Sequence, residues 1–272
     1  MRVRDAVATV LTVWRRSLLD ALVAPRRFRR VMSEFRRVND MLFHPGIGSL
    51  ELGQLPRAEQ PIQMLSLGSG YGGMAPQDLY ALLRVLRWVE PRRVFEFGTF
   101  QGVTTAHLVA NSAAEVYTLD LPRELARDLA GYAPLDAALL QPRDAIGAAY
   151  RDLNANGRVR QLFGDSRTFD CKPFYGTAEF VLVDACHFYD YVLSDSRQAL
   201  QLLGERGVIL WHDFVASLDV TRALKELARE IPIFHLEGTF LAAHFRGRSP
   251  LDSVEAASAP NASANPDGGQ TP

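Results

Sequence analysis

Arg93-Val94-Phe95-Glu96-Phe97-Gly98-Thr99-Phe100-Gln101-Gly102-Val103-Thr104-Thr105 is the stretch on which the fold turns. Val94 to Phe97 is a short β-rich run, Gly98 permits a sharp backbone turn, and a helical stretch begins near Val103. Working outward, the unit recurs. Val116 to Leu119 ends in Asp120, and a helix near Ala145 to Leu153 leads to Val159 to Phe163. Phe180 to Val183 ends in Asp184 and is followed by a helix to about Leu203, and Val208 to Trp211 ends in His212-Asp213. Runs apolar on both faces and separated by helices suit a parallel sheet covered on both sides. Ile231 to Leu236, a Glu237-Gly238 turn and Thr239 to Phe245 then read as a β-hairpin.

Composition bounds the rest. With 272 residues, 47% hydrophobic and 22% charged, the chain can bury one sizeable core but not two large domains. No apolar run reaches the ~20 residues of a membrane-spanning helix. A formal net charge of -1 argues against a chain devoted to nucleic acid. Two cysteines, Cys171 and Cys186, make neither a disulfide framework nor an all-cysteine zinc site, so the chain reads as intracellular and cytoplasmic. Of 30 basic residues only Lys172 and Lys225 are lysines, the mark of a GC-rich, bacterial coding sequence.

Three segments divide the chain. Residues 1–56 form an Arg-rich N-terminal segment, whose first 40 residues hold ten Arg and four acids. Val3, Val7, Leu11, Trp14, Leu18 and Leu22, then Phe28, Val31, Phe35, Val38 and Leu42, give two amphipathic helices interrupted at Pro25. A cap packed on the core, a homodimer arm, a basic helix on an anionic membrane surface and a targeting peptide all stay open for it. Residues 57–247 hold the alternating strands and helices and are expected to form the main domain. Residues 248–272 are rich in Ala, Ser, Pro, Asn and Gly and read as a disordered tail.

Chemistry gathers at the carboxyl ends of the expected strands. Glu96, Asp120, Asp165, Asp184 and Asp213 each end or follow an apolar run, the edge where open α/β sheets bind ligands. The first loop reads Glu-x-Gly-x-x-x-Gly and lacks the middle glycine of a dinucleotide loop, which admits a pyrophosphate. Gly102 is expected to let a ligand approach the helix start. Asp120 follows Gly102 by 18 residues, where an acid can accept hydrogen bonds from both ribose hydroxyls. The pocket therefore suits a nucleoside without a pyrophosphate.

This combination resembles the class I S-adenosylmethionine-dependent methyltransferases over residues 75–246. Glu96, Gly98, Thr99 and Gly102 match the family's first motif, Asp120 its ribose-binding acid, and Gly164-Asp165-Ser166 its adenine-side motif. The fold this implies is a Rossmann-like αβα sandwich: a mostly parallel seven-stranded sheet with a C-terminal antiparallel hairpin, preceded by N-terminal helices. Val183-Asp184-Ala185-Cys186-His187 and Trp211-His212-Asp213-Phe214 resemble a bacterial O-methyltransferase subgroup of macrocin and cephalosporin type. In its metal-dependent members the acid ending the fourth strand and the pair ending the fifth hold Mg²⁺. The resemblance thus implies Asp184, His212 and Asp213 as ligands of Mg²⁺ or Mn²⁺. His212 departs from the acid many relatives carry, and an imidazole suits Mn²⁺, Zn²⁺ or iron better than Mg²⁺. Cys186 stands where some relatives have a catalytic Asp.

A metal also has a physical rationale. An alcohol or sugar hydroxyl is a very weak acid, and a divalent cation lowers its pKa so that a nearby base can take the proton. His187 is the candidate base and Asp184 its catalytic neighbour. The expected activity is metal-assisted O-methylation of a small molecule or sugar, without nucleic acid as partner. Two alternatives are weighed: an NAD(P)-dependent oxidoreductase, disfavoured by the missing glycine and the lack of a Tyr-x-x-x-Lys pair, and a non-catalytic nucleoside-binding protein held at a membrane or partner by its N-terminal helices. The glycine cluster from Gly68 to Gly73 reads as a loop at the mouth of the site, with Tyr71 and Met74 as covers. His44, His107, His235 and His244 read as structural, and Cys171 as a small buried or loop residue.

Overall fold

The computed structural model describes residues 46–55, 61–67, 73–126, 139–153 and 157–250, together with Arg26, Arg29, Met32 and Ser33. The two amphipathic N-terminal helices, most of the Gly68–Gly73 cluster, His44 and the Ala/Ser/Pro tail beyond residue 250 lie outside the described residues.

Eight strands form one sheet. In chain order they are β1 (Gly48–Leu50), β2 (Arg93–Phe97), β3 (Glu115–Asp120), β4 (Val159–Phe163), β5 (Ala178–Val183), β6 (Leu203–Trp211), β7 (Phe234–Leu236) and β8 (Ala242–Arg246). Their spatial order is β1-β7-β8-β6-β5-β2-β3-β4. All neighbours are parallel except β8, which runs antiparallel to β6 and β7. The sheet has one strand more than the seven expected. Three residues are too short a run to show alternation, and β1 is held by parallel pairing with β7 and by the Glu237 N–H donating to the Leu50 carbonyl at 3.0 Å. This strand lies inside the segment that the sequence assigned to the N-terminal arm.

Side chains alternate across the strands and build two cores. Val94, Phe180, Leu182, Val208 and Leu210 face one side, where α1 (Pro76–Val89) and α2 (Val103–Asn111) pack through Leu82, Leu86, Ala106 and Leu108. Phe95, Phe97, Val181, Val183, Ile209 and Trp211 face the other, covered by α3 (Tyr189–Leu202) and α4 (Leu218–Leu227) through Val192, Ala199, Val220 and Leu224. The result is the three-layer αβα sandwich. Each fully buried aliphatic or aromatic side chain contributes roughly 1.5–3 kcal/mol. Trp211 is the largest of them, and its indole N–H donates to the Ser196 hydroxyl at 2.8 Å, which fixes the end of β6 just before His212. The helix expected near Ala145 to Leu153 is instead a turn followed by a 3₁₀ segment, Ala148–Leu153.

The chain runs outward from β2 through β3 to β4 and returns to β5 on the opposite side of β2. That reversal opens a crevice at the carboxyl ends of β2, β3 and β5, where such sheets bind ligands.

Candidate active site

One cavity of about 390 Å³ occupies this crevice. Gly98, Thr99, Asp120, Asp165 and Ser166 line one end of the expected set, and Asp184, His187, His212 and Asp213 the other. The turn after β2 brings the two together. Gly98 has φ +94°, and a Cβ there would lie 1.9 Å from the Asp184 carbonyl oxygen, so only glycine lets the β2 loop close against the end of β5. Gly98 N–H donates to the Leu119 carbonyl at 2.8 Å and Asp184 N–H to the Phe97 carbonyl at 2.9 Å, locking both loop starts to the sheet.

Asp120 ends β3 with its carboxylate facing the loop. It accepts from the Phe100 N–H and, at 2.7 Å, from the Leu121 N–H. Burial raises its carboxyl above the ordinary value, while the N–H groups of Phe100, Leu121 and Thr99 oppose that shift. Two carboxylate oxygens have about four lone-pair sites, so these N–H groups orient the carboxylate and leave it able to accept further. Asp165 is oriented in the same manner: one oxygen accepts from Arg167 N–H at 3.0 Å, the other from the Tyr191 hydroxyl at 3.0 Å.

Glu96 and Gly102 stand behind the loop and do not line the cavity. Glu96 is fully buried, accepting from Thr105 at 2.5 Å and Thr118 at 2.6 Å on Oε2, with no hydrogen-bond partner on Oε1. Burial pushes its carboxyl up to about 8. The network continues through Thr99, 2.6 Å from Thr118, to Gln161 and the Tyr150 hydroxyl. Gly102, at φ +80°, opens α2; its Cβ direction meets Tyr150 at 2.7 Å and Gly147 at 2.8 Å. The space beside it is thus filled by protein rather than left for a ligand, contrary to the expected close approach.

At the other end, His212 lies between carboxyls. Its Nδ1 is 3.1 Å from Asp184 Oδ1 and 3.6 Å from Asp213 Oδ2, and its Nε2 is 3.4 Å from Asp78 Oδ2. Burial pulls the imidazole down, but the charges of Asp184, Asp213 and Asp78 outweigh it and raise His212 to about 9. His187 Nε2 lies 2.6 Å from Asp213 Oδ2. Burial alone would raise Asp213; its bond with His187 and the charges of both histidines hold it below the usual carboxylate value. The turn carrying these groups is strained and over-determined. Asp213 and Val215 have φ of 58° and 60°, and the turn is held by Ser217 N–H on the Asp213 carbonyl at 2.8 Å and Thr221 Oγ1 on the Val215 N–H at 2.9 Å. One atom from each of Asp184, His212 and Asp213 lies within 4.8 Å of the other two, a nitrogen-and-oxygen donor set that fits a divalent cation.

The sequence reading passed over Asp78 and Tyr191, which look from sequence like helix-start and helix-surface residues. Met74 lines the cavity as expected, and Tyr71 lies outside the described residues. His107, His235 and His244 are engaged with the backbone at Val103, Thr239 and Pro232. Cys171 is buried, and burial pushes its thiol up to about 11. No helix among the described residues is long and apolar enough to cross a membrane.

Comparison with known proteins bears on the fold. Residues 95–214 match a family described as a methyltransferase domain. No curated protein matches the chain. Among solved structures, the O-methyltransferase NovP is similar over 62% of this chain and 79% of its own, with 14% identity and a TM-score of 0.50. The O-methyltransferase TomG from Streptomyces achromogenes, in complex with SAM, covers 65% of this chain and 82% of its own at 19% identity and a TM-score of 0.46. An O-methyltransferase from Bacillus cereus, in complex with SAH, covers 77% and 90% at 17% identity and a TM-score of 0.46. The likeness to NovP is one of fold: a mostly parallel sheet with helices on both faces.

Proposed function

We propose that the protein is an S-adenosylmethionine-dependent O-methyltransferase that acts, with a divalent cation, on a hydroxyl of a small molecule or sugar. The observation that carries the reading is the single cavity shared by Asp120, Asp165 and Ser166 on one side and Asp184, His187, His212 and Asp213 on the other. Gly102 adds to it, because a loop glycine filled by Tyr150 and Gly147 is ill suited to the pyrophosphate of a nicotinamide cofactor.

When bound, the donor supplies a sulfonium methyl group, and the cation supplies a Lewis acid that acidifies a hydroxyl. The chain's own residues do the rest. Asp120 accepts hydrogen bonds from the ribose, steadied by the N–H groups of Phe100 and Leu121. Asp165 and Ser166 hold the adenine, and Thr99 and Gly98 form the floor beneath it. Glu96 supports that floor from behind through Thr118 and Thr105. Asp184, His212 and Asp213 hold the cation. His187 takes the acceptor's proton: with Nε2 donating to Asp213, the lone pair of the neutral ring is on Nδ1. Asp213 orients that base, as a carboxylate does for a catalytic imidazole. Leu139, Leu140 and Met74 give the cavity an apolar wall.

The test has two arms. Calorimetric titration should give binding of S-adenosylhomocysteine and none of NADPH; the reverse would turn the assignment to an oxidoreductase. Transfer of label from methyl-labelled donor to small molecules of a cell extract should stop with chelator and return with Mg²⁺ or Mn²⁺, and Asp213→Asn should behave like the chelated enzyme. Full turnover in chelator would remove the cation and leave His187 to act alone.

A further inference from the structure

Asp78 is used by none of the steps above, yet it is fully buried in the first turn of α1, two residues after Pro76. A buried carboxyl is costly unless its oxygens are satisfied. Its partners are not the open N–H groups of its own helix. Oδ1 accepts from the Phe240 N–H at 3.0 Å, which fixes the carboxyl plane, and Oδ2 lies 3.4 Å from His212 Nε2. A carboxylate can only accept, so Asp78 keeps a ring proton on Nε2, and a cation held by Asp184 and Asp213 would displace the proton that Nδ1 shares with Asp184. Nδ1, on the opposite edge, faces Asp184 at 3.1 Å and Asp213 at 3.6 Å. Elements far apart in sequence are needed for this: α1 supplies Asp78, the turn before β8 supplies Phe240, and His212 directly follows β6.

We propose that Asp78 is a positioning residue that holds His212 with its proton on Nε2, so that the Nδ1 lone pair joins Asp184 and Asp213 as third ligand and makes the site prefer Mn²⁺ to Mg²⁺. The inference rests on the metal-assisted reading above. Its chemistry is general: a ligating imidazole is oriented by a carboxylate on its other nitrogen, and a nitrogen ligand favours later divalent ions over Mg²⁺, which takes oxygen. Asn at position 78 cannot replace Asp. Its single oxygen serves either the Phe240 N–H or the His212 Nε2–H, and its amide then meets the other donor.

Mn²⁺ and Mg²⁺ are titrated into the full chain by calorimetry, and the Mn²⁺ complex is examined by electron spin-echo modulation for a coupled ¹⁴N nucleus. Wild type should bind Mn²⁺ at least about tenfold more tightly than Mg²⁺ and show nitrogen coupling, which His212→Gln removes and His187→Gln keeps. Asp78→Asn should weaken Mn²⁺ binding by about 10–100-fold while S-adenosylhomocysteine affinity stays the same. His212→Asp should shift the preference toward Mg²⁺. A folded Asp78→Asn protein with wild-type Mn²⁺ affinity and nitrogen coupling overturns the role of Asp78 and leaves the metal site standing. If Asp78→Asn does not fold, the wild-type spectrum decides, since a Mn²⁺ complex without histidine nitrogen overturns the proposal. Wild type binding neither ion overturns the metal-assisted reading and this inference with it.

Discussion

Glu96 offers a quantitative test of how the donor loop is built. Its carboxyl is fully buried beneath Thr99, and burial lifts it from an ordinary value of 4.5 to about 8. The folded protein therefore keeps a proton there that the unfolded chain releases above pH 4.5. Stability from this group is complete below that pH and is lost as pH rises toward 8, at about 1.4 kcal/mol per pH unit. Over the interval the loss is at most roughly 4–5 kcal/mol, a large part of the 5–15 kcal/mol of an ordinary domain. Glu96→Gln removes the titration. The amide oxygen can still accept from Thr105 and Thr118, but its nitrogen takes the place of Oε1, which has no partner, and leaves two donors unsatisfied. That costs about 1–3 kcal/mol at any pH. At pH 5 the variant should thus be the less stable protein, and near pH 8 the more stable. Urea unfolding of both proteins at pH 5, 6, 7 and 8 measures this, and subtracting one from the other cancels every other titrating group. A difference that does not move with pH would show that Glu96 is already ionised in the fold, and the account of the buried network would be wrong.

Asp120→Ala should weaken S-adenosylhomocysteine binding by several-fold to about 100-fold, because two hydrogen bonds to a charged acceptor are at stake; calorimetry on a folded variant that gives wild-type affinity would take Asp120 out of the donor site. His187→Gln should lower kcat by about 10²–10⁴ with donor affinity unchanged, and a wild-type rate would pass the proton step to another group.

The centre of the sheet was legible because its strands are buried on both faces. β5 and β6 show in sequence as the apolar runs Phe180–Val183 and Val208–Trp211, closed by Asp184 and His212, whereas β4 at the sheet edge reads Val-Arg-Gln-Leu-Phe and is buried only at Val159. β1 escaped, since Gly48-Ser49-Leu50 has no alternation to read and owes its place to β7, nearly 190 residues later in the chain. The stretch from Ala145 to Leu153 has apolar residues at helical spacing but forms a 3₁₀ segment. Its Gly147 sits at φ +72° against Tyr150, a position that breaks an α-helix.

The site was legible to the depth at which one residue at one strand end decides the chemistry. Asp120, Asp165, Asp184, His187, His212 and Asp213 all line the cavity, because a carboxyl-terminal strand end points its next side chain into the crevice. What a single strand end cannot reveal is which groups stand behind it. Glu96 is the penultimate residue of β2, where Asp120 is the last of β3, and its side chain falls on the α2 face, under the loop rather than in it. Asp78 shows the opposite case. Between Pro76 and Leu79 an acid reads as a helix-start residue, whose usual task is to meet open N–H groups. Here its oxygens go instead to Phe240 and His212. The sequence carries a hint of this in His212 itself: an imidazole in place of an acid loses one negative charge from the cluster and gains a second ring nitrogen that must be satisfied when buried. A carboxyl elsewhere in the chain supplies both the charge and the acceptor, and only the fold reveals that it is the one 134 residues earlier.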